Sequence, residues 1–214
     1  MVRRRQFSLS AAAAAAGVVL AGLSGRVGAQ GGGPIEGRDF KRVLRPVAVN
    51  ADGKIHVTEF FWYGCPHCFV FEPSLDDWIS KLPDDVAFSR VPVAFDARAL
   101  AHQRIYYTWE AMGAVQAMHM KTFMRFNAQR RPVDNLDDLL AFAQENGLDA
   151  AKVSAAWNSF SVQARCREAS RLMQDYRIDQ TPEMAIQGRF TAAGPPARLL
   201  ATTDWLVERQ RHGG

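Results

Sequence analysis

The chain has 214 residues, of which 48% are hydrophobic and 22% charged, so it is long enough to bury a core of ordinary size. Its formal net charge is +4 at pH 7, but residues 1–29 contain four arginines and no acid. The other 185 residues hold 22 basic and 22 acidic side chains and are formally neutral. Their composition therefore gives no reason to expect binding to nucleic acid or to an anionic membrane.

Residues 1–29 have the pattern of an export signal. Three arginines at positions 3–5 precede a soft apolar stretch over positions 11–23, and small residues follow as a cleavage site. The arginine pair also resembles a twin-arginine signal, while ordinary Sec export fits equally well. We therefore expect a signal peptide at 1–29 and a Gly-rich flexible segment at 30–37. A single uncleaved membrane anchor is the alternative.

Turn residues divide the rest of the chain into strand-like and helix-like runs. Strands are predicted at Phe40–Leu44, Ile55–Tyr63, Ala87–Val93, Glu183–Gln187 and near Phe190. Helices are predicted at Pro66–Lys81, Arg98–Phe126 with a break near Gly113, Leu136–Asn146, Ala150–Phe160, Val162–Tyr176 and Pro196–Arg211. The strands lie at the two ends of this region, which predicts an α/β fold in which a βαβ unit and a ββα unit share one sheet. Residues 38–97 and 177–214 would form this sheet domain, and residues 98–176 a helical insertion.

Two cysteines stand two residues apart where a strand-like run gives way to a helix-like one. Pro66 suits the first turn of a helix, so Cys65 is expected at the helix N-terminus. There the helix dipole and free backbone N–H groups favour a thiolate, the form that attacks disulfides. Cys68, one turn further on, can close a ring with Cys65 and resolve a mixed disulfide. The spacing predicts a redox-active pair.

Other uses of two such cysteines fit less well. A covalent haem site needs His directly after the second cysteine, where this chain has Phe69. A zinc site would need Cys166 or histidines brought together without a recognisable spacing, and a chance pair of core cysteines is the remaining alternative. Cys166 falls on an apolar helical stripe, so we interpret it as a small core residue without a catalytic role.

The run Phe60-Phe61-Trp62-Tyr63-Gly64-Cys65-Pro66-His67-Cys68, the helical block, the stretch 155–160 and Thr181-Pro182 resemble periplasmic thiol:disulfide oxidoreductases of the DsbA family. The resemblance covers nearly all of the chain after residue 29. It implies a thioredoxin-like fold with a helical insertion, and a location in the periplasm. It also implies that His67 stabilises the Cys65 thiolate, which would make the disulfide a strong oxidant.

The resemblance assigns roles to two further pairs of residues. Thr181 and Pro182 would form a cis peptide facing the dithiol, where an extended substrate could pair with the backbone of Thr181. On a strand, Glu59 would share a face with apolar residues, so it needs a buried partner or a displaced position. The resemblance places it under the second cysteine with Arg90 as its partner. Glu59 would take up or relay the proton of Cys68, or form a plain structural ion pair.

The predicted function is the donation of a disulfide to reduced, unfolded, newly exported proteins by a monomer. A membrane, quinone-linked partner of the DsbB type would reoxidise the pair, and no metal, nucleotide or organic cofactor is implied. A reductase or isomerase on the same fold is one alternative. A client-binding chaperone with an incidental dithiol is another, although apolar residues such as Phe69 and Met124 fit a core better than a client groove.

Overall fold

The computed structural model describes residues 33–213. The predicted signal peptide lies outside this range, as do the first residues of the predicted flexible segment. Within the described range, no helix is long and apolar enough to cross a membrane. Near its start, Asp39 accepts a hydrogen bond from the Ile35 amide (2.8 Å) and pairs with Arg198 of the last helix (2.7 Å). The residues just before the first strand are thereby tied to the end of the chain.

One mixed sheet contains five strands of the described chain. They are β1 (Phe40–Arg42), β2 (Ile55–Phe61), β3 (Val86–Pro92), β4 (Glu183–Ile186) and β5 (Phe190–Ala192). Their order across the sheet is β1-β5-β4-β2-β3, with β2 parallel to β3 and the other neighbours antiparallel. The predicted βαβ and ββα units are confirmed, and they meet where β2 pairs with β4.

Seven helices lie within residues 33–213. They are α1 (Pro66–Ile79), α2 (Ala97–Ala111), α3 (Val115–Asn127), α4 (Leu136–Glu145), α5 (Ala150–Trp157), α6 (Phe160–Asp175) and α7 (Pro196–Arg211). The side chains of Asp96, Asn135 and Asp149 accept backbone N–H bonds at the starts of α2, α4 and α5. Gly113, with φ +64°, separates α2 from α3 at the predicted break.

Several element boundaries differ from the sequence-based prediction by about one to three residues, and two of them have a clear local cause. The helix predicted to reach Phe160 ends at Trp157, because Ser159 caps the next helix and accepts a hydrogen bond from the Val162 amide (3.2 Å). The strand predicted to reach Tyr63 ends at Phe61, because the Cys65 amide donates to the carbonyl of Trp62 (2.9 Å) in a turn. This turn carries the chain from β2 into α1.

Two apolar clusters bury the sheet. One joins the strands to α1 and α7 through residues such as Val57, Leu75 and Leu206, which are at most 1% exposed. The other joins the end of β2 to the helices α2–α6. Cys166 is half-buried against this second cluster, and burial raises the pKa of its thiol to about 11. Cys65 and Cys68 belong to the second cluster too, at its junction with α1.

Candidate active site

The two cysteines lie at the first turn of α1. Cys65 is the N-cap residue with extended backbone (φ −87°, ψ 114°), and Pro66 occupies the first turn, as predicted from the sequence. The backbone N–H of Cys68 donates to the Cys65 sulfur over 3.4 Å. Both thiols are free, with Cys65 6% exposed and Cys68 fully buried. A reacting partner can therefore reach only the first of these two sulfurs.

Gly64 allows the turn that leads into the helix. A Cβ atom at this position would collide with the indole ring of Trp62. The Trp62 ring instead lies against the bare backbone, and its N–H donates to Nδ1 of His102 (2.7 Å). The strand-to-helix junction thus depends on glycine for space.

The two thiols have opposite electrostatic surroundings. Hydrogen bonding from the Cys68 thiol, from Thr181 and from the amides of Cys68 and His67 lowers the pKa of Cys65 to about 5, against the effect of burial. Burial raises the pKa of Cys68 far above its ordinary value, and the nearby charges of Cys65 and Glu59 raise it further. Near neutral pH, Cys65 is therefore a thiolate and Cys68 a thiol.

The peptide bond between Thr181 and Pro182 is cis, as the resemblance implied. The carbonyl oxygen of Thr181 lies 3.4 Å from the Cys65 sulfur. Pro182 is buried and Thr181 half-buried, directly before β4. The backbone at Thr181 therefore forms one wall beside the reactive sulfur.

The side chain of His67 is exposed, and its ring has no hydrogen bond or ion pair with any residue in the range 33–213. Its backbone amide is among the groups that lower the pKa of Cys65. In this structure the contribution of His67 to the thiolate comes through the main chain.

Glu59 lies near Cys68 and is fully buried. Arg90, its neighbour in the β2–β3 register, donates from Nε to Glu59 Oε2 over 3.1 Å. Burial and the charge of Glu72 hold the pKa of Glu59 well above its usual range. The pair that the resemblance suggested is thus brought together in the structure.

The family model of the DSBA-like thioredoxin domain matches residues 56–202 of this chain. The thiol:disulfide interchange protein DsbA of Pseudomonas aeruginosa is 32% identical over 179 residues, which are 82% of this chain and 85% of the relative. DsbA of Burkholderia cepacia is 36% identical over 181 residues, with the same coverage of both chains. The chain belongs to the DsbA family of thiol:disulfide oxidoreductases.

The fold agrees with solved DsbA structures. The crystal structure of Pseudomonas aeruginosa DsbA superposes with a TM-score of 0.81 at 31% identity, over 84% of this chain and 96% of that one. The thioredoxin-like fold with inserted helices, predicted from the order of the elements and from the resemblance, is confirmed.

This DsbA-family site includes charged residues that the sequence did not bring to notice. Arg90 also donates from Nη2 to Glu72 and to Asp76, each over 2.9 Å. Glu72 is fully buried, whereas Asp76 is 59% exposed. Glu72 and Asp76 follow Cys68 by four and eight residues, so helical spacing places them on one face with it. This helical spacing from Cys68 is the feature of the sequence by which the two acids could have been identified as site residues.

The group of charged residues extends from α1 to α3, one of the inserted helices. His119 of α3 lies with its Nε2 3.2 Å from Glu72 Oε1 and its Nδ1 2.9 Å from the hydroxyl of Tyr63. In the sequence, His119 was only one of several scattered histidines. Together, Glu59, Glu72, Arg90, His119 and Tyr63 form a group that we call the buried cluster.

An open groove of about 480 Å³ adjoins the dithiol of this DsbA-family protein. Its lining is partly apolar and partly basic: Trp62, Gly64, Pro66, Phe69, Val70, Arg98, Phe126, Asn127 and Arg130. Val70, which follows Cys68 by two residues, is 66% exposed. Phe69 lines this groove, and Met124 is 43% exposed, so the prediction of a core position is wrong for Met124. Other apolar helical residues are buried in the core: Phe71, Trp109, Met118 and Phe123.

Proposed function

We propose that this protein donates the disulfide between Cys65 and Cys68 to reduced, newly exported proteins. The observation that supports it best is the contrast between the two thiols. Cys65 is partly accessible with a pKa of about 5, whereas Cys68 is buried with a raised pKa. The reduction of such a disulfide is favourable, because it produces a stabilised thiolate at Cys65.

The exchange runs in two steps. A client thiolate attacks the Cys65 sulfur, the bond to Cys68 breaks, and the Cys68 sulfur takes up a proton. A second client thiolate then attacks the client sulfur of the mixed disulfide, and Cys65 leaves as a thiolate. The low pKa of Cys65 makes it a good leaving group, so the second step favours the oxidised client.

The residues around the pair have separate roles in this proposal. Pro66 starts the helix that stabilises the thiolate. His67 supports the thiolate through its amide and, when its ring is protonated, through positive charge. The backbone at Thr181, next to cis-Pro182, pairs with an extended client segment as an added strand.

Glu59 and Arg90 serve the buried sulfur. Glu59 is proposed to exchange a proton with Cys68, because both groups are buried and the charge of Glu59 raises the pKa of Cys68. Arg90 keeps the carboxylate form of Glu59 accessible through its hydrogen bond.

The wider setting is part of the same proposal. We propose a monomer that is exported by the Sec or twin-arginine route, loses residues 1–29 as its signal peptide, has residues 30–37 as a flexible segment and works in the periplasm. Residues 38–97 and 177–214 would form the thioredoxin-like domain, and residues 98–176 the helical insertion. A membrane, quinone-linked protein of the DsbB type would reoxidise the pair, and its contact with the groove beside Val70 would place it next to Cys65.

The test is the oxidative refolding of a reduced, unfolded protein with the oxidised enzyme as the sole oxidant. We expect the Cys65→Ala variant to lose this activity completely and the Cys166→Ala variant to retain it. Redox equilibration with glutathione should give a potential more oxidising than about −220 mV. Full activity of Cys65→Ala would favour a chaperone, and a more reducing potential would favour a reductase.

A further inference from the structure

A buried histidine ends the charged cluster and has no part in the two-step exchange. His119 is 6% exposed. Its Nδ1 lies 2.9 Å from the Tyr63 hydroxyl, and its Nε2 lies 3.2 Å from Glu72 Oε1. The aromatic rings of Phe61, Tyr63 and Phe123 pack around the imidazole at centroid distances of 5.1–5.3 Å. These contacts hold the imidazole between the Tyr63 hydroxyl and the Glu72 carboxyl.

The two partners determine what each ring nitrogen does. A carboxylate oxygen can only accept, so Nε2 carries a proton and donates to ionised Glu72. Burial holds the pKa of Tyr63 well above its usual value, so its hydroxyl keeps its proton and can donate it to Nδ1. Both ring nitrogens therefore have a partner, with Nε2 donating to Glu72 and Nδ1 accepting from Tyr63.

The two buried carboxylates receive unequal support. Glu72 accepts from His119 at one oxygen and from Arg90 at the other, over 3.2 and 2.9 Å. Glu59 accepts from Arg90 at Oε2 alone, and its buried Oε1 has no partner among residues 33–213. One guanidinium cannot neutralise two buried acids, so the less supported acid retains a proton.

We propose that His119, held in place by Tyr63, is a positioning residue that directs the negative charge to Glu72 and the proton to Glu59. Protonated Glu59 is then the acid that serves Cys68. This role rests on the proposed function, because it requires Cys68 to leave the disulfide as a thiolate.

The proton and the electrons balance in this step. When a client thiolate attacks Cys65, the electron pair of the Cys65–Cys68 bond goes to the Cys68 sulfur. Glu59 transfers its proton to that sulfur. The products are the mixed disulfide, a neutral Cys68 thiol and a Glu59 carboxylate that Arg90 now stabilises. Reoxidation by the membrane partner, in which Cys68 must lose its proton, returns it to Glu59.

The titration behaviour of the two acids agrees with this geometry. Burial raises the pKa of Glu72, but the hydrogen bond from His119, together with the charge and hydrogen bond of Arg90, brings it below its ordinary value. The other titratable groups that face the cluster are Asp76 of α1, which is largely exposed, and Tyr106 of α2, whose ring lies 5.8 Å from that of His119. Burial raises the pKa of Tyr106, so it is neutral at working pH.

The first experiment follows the side-chain carboxyl carbons of Glu59 and Glu72 by NMR across a pH titration, assigned with Glu59→Gln and Glu72→Gln. In the native chain we expect Glu72 to ionise first and Glu59 at higher pH. His119→Leu lacks the N–H donor. In this variant we expect the ratio between the proton affinities of Glu59 and Glu72 to be smaller than in the native chain by about tenfold or more. His119→Gln, which keeps an N–H donor, should restore the separation.

The second experiment measures the rate at which the oxidised protein forms a mixed disulfide with glutathione at neutral pH. We expect His119→Leu to be roughly tenfold slower, a part of what general acid catalysis supplies. His119→Gln should recover most of the rate, and Tyr63→Phe should show a smaller loss. Tyr107→Phe changes a buried tyrosine outside the cluster and should not change the rate.

Three outcomes decide the proposal. Equal separation of the two carboxyl titrations in the native chain and in both His119 variants would overturn it, as would equal rates for the Leu and Gln variants. Should His119→Leu fail to fold, Tyr63→Phe gives the same test, because an unchanged titration of Glu59 and Glu72 would count against the positioning role. If clients stay reduced while the carboxyls titrate as expected, the proposed function fails and the charge assignment stands.

Discussion

The surroundings of Cys65 and of Cys68 differ more than their three-residue separation would suggest. Around Cys65, the protein supplies donors at a helix N-terminus, and these stabilise negative charge on sulfur. Around Cys68, it supplies burial and acidic neighbours, which disfavour that charge. The first environment comes from the first turn of α1 with Thr181 added from the chain before β4. The second needs β2, β3, α1 and α3.

This difference shows how the two sulfurs of one dithiol can have opposite protonation states. Local backbone geometry is enough to make a thiolate, because the free N–H groups of α1 are already in place. A buried sulfur that must change its protonation during the reaction needs a group nearby to exchange the proton. Substitutions that act on only one of the two environments can therefore test the contrast.

The largest effect is expected when Arg90, the cation of the buried cluster, is replaced. Arg90→Met leaves Glu59 and Glu72 buried without a positive partner, and we expect the free energy of unfolding at neutral pH to fall by about 3–5 kcal/mol. Urea denaturation measures it. Arg171→Gln breaks an exposed pair with Asp175 and should cost less than about 1 kcal/mol. Equal losses for the two variants would mean that the buried cluster contributes nothing special.

Glu183 is a buried acid outside the buried cluster, and it tests the effect of burial on a carboxyl group separately. Glu183, beside cis-Pro182, is 4% exposed, and burial raises its pKa from 4.5 to about 7. The folded state therefore holds a proton that the unfolded state has lost, so stability falls as pH rises from about 4.5 to about 7, by roughly 3 kcal/mol from this group.

We expect Glu183→Gln to remove this pH-dependent contribution to stability. The free energy of unfolding of the variant should therefore rise relative to that of the native protein as pH rises from about 4.5 to about 7. Denaturation curves at several pH values measure the difference. Glu145 is a control of opposite sign, because Arg125 lowers its pKa. A difference between Glu183→Gln and the native protein that stays constant with pH would contradict the prediction.

Removal of Cys68 separates the two environments. Its thiol is the strongest single influence that lowers the pKa of Cys65, so in Cys68→Ala we expect this pKa to rise from about 5 but to stay below that of free cysteine, because the helix amides remain. Thiolate absorbance against pH gives the midpoint. A midpoint at the value of free cysteine would show that the helix N-terminus stabilises no charge.

The smallest effect is expected at His67. The ring is exposed and without a partner in the described chain, and the amide persists in any variant, so His67→Ala should raise the pKa of Cys65 less than Cys68→Ala does. The equilibrium constant with glutathione should change by less than roughly tenfold. A larger change than in Cys68→Ala would mean that the ring acts on the sulfur directly.

The reactive turn could be predicted from the sequence because its causes are local. A β-rich run, Gly64 and Pro66 together specify where the strand ends and the helix begins, and this alone places Cys65 at the N-terminus. The cis peptide at Pro182 could not be predicted in this way, since an isolated Thr-Pro pair is usually trans. It came from the resemblance to the family.

The buried side was only partly predictable. Glu59 attracted notice because a carboxylate stood in an apolar strand face, and Arg90 came with the resemblance. His119 lies 47 residues beyond Glu72, on a helix whose position depends on tertiary packing. No local pattern links these two residues, so the network that joins Tyr63, His119 and Glu72 emerged only from the fold.

The exposure of Pro66 and His67 has a consequence for engineering. Both side chains point to solvent between two buried cysteines, and neither belongs to the apolar clusters of the described chain. Substitutions at these two positions can alter charge and backbone freedom next to the Cys65 sulfur without a change in core volume. A library confined to positions 66 and 67 would therefore vary the oxidising strength of the dithiol without repacking the core.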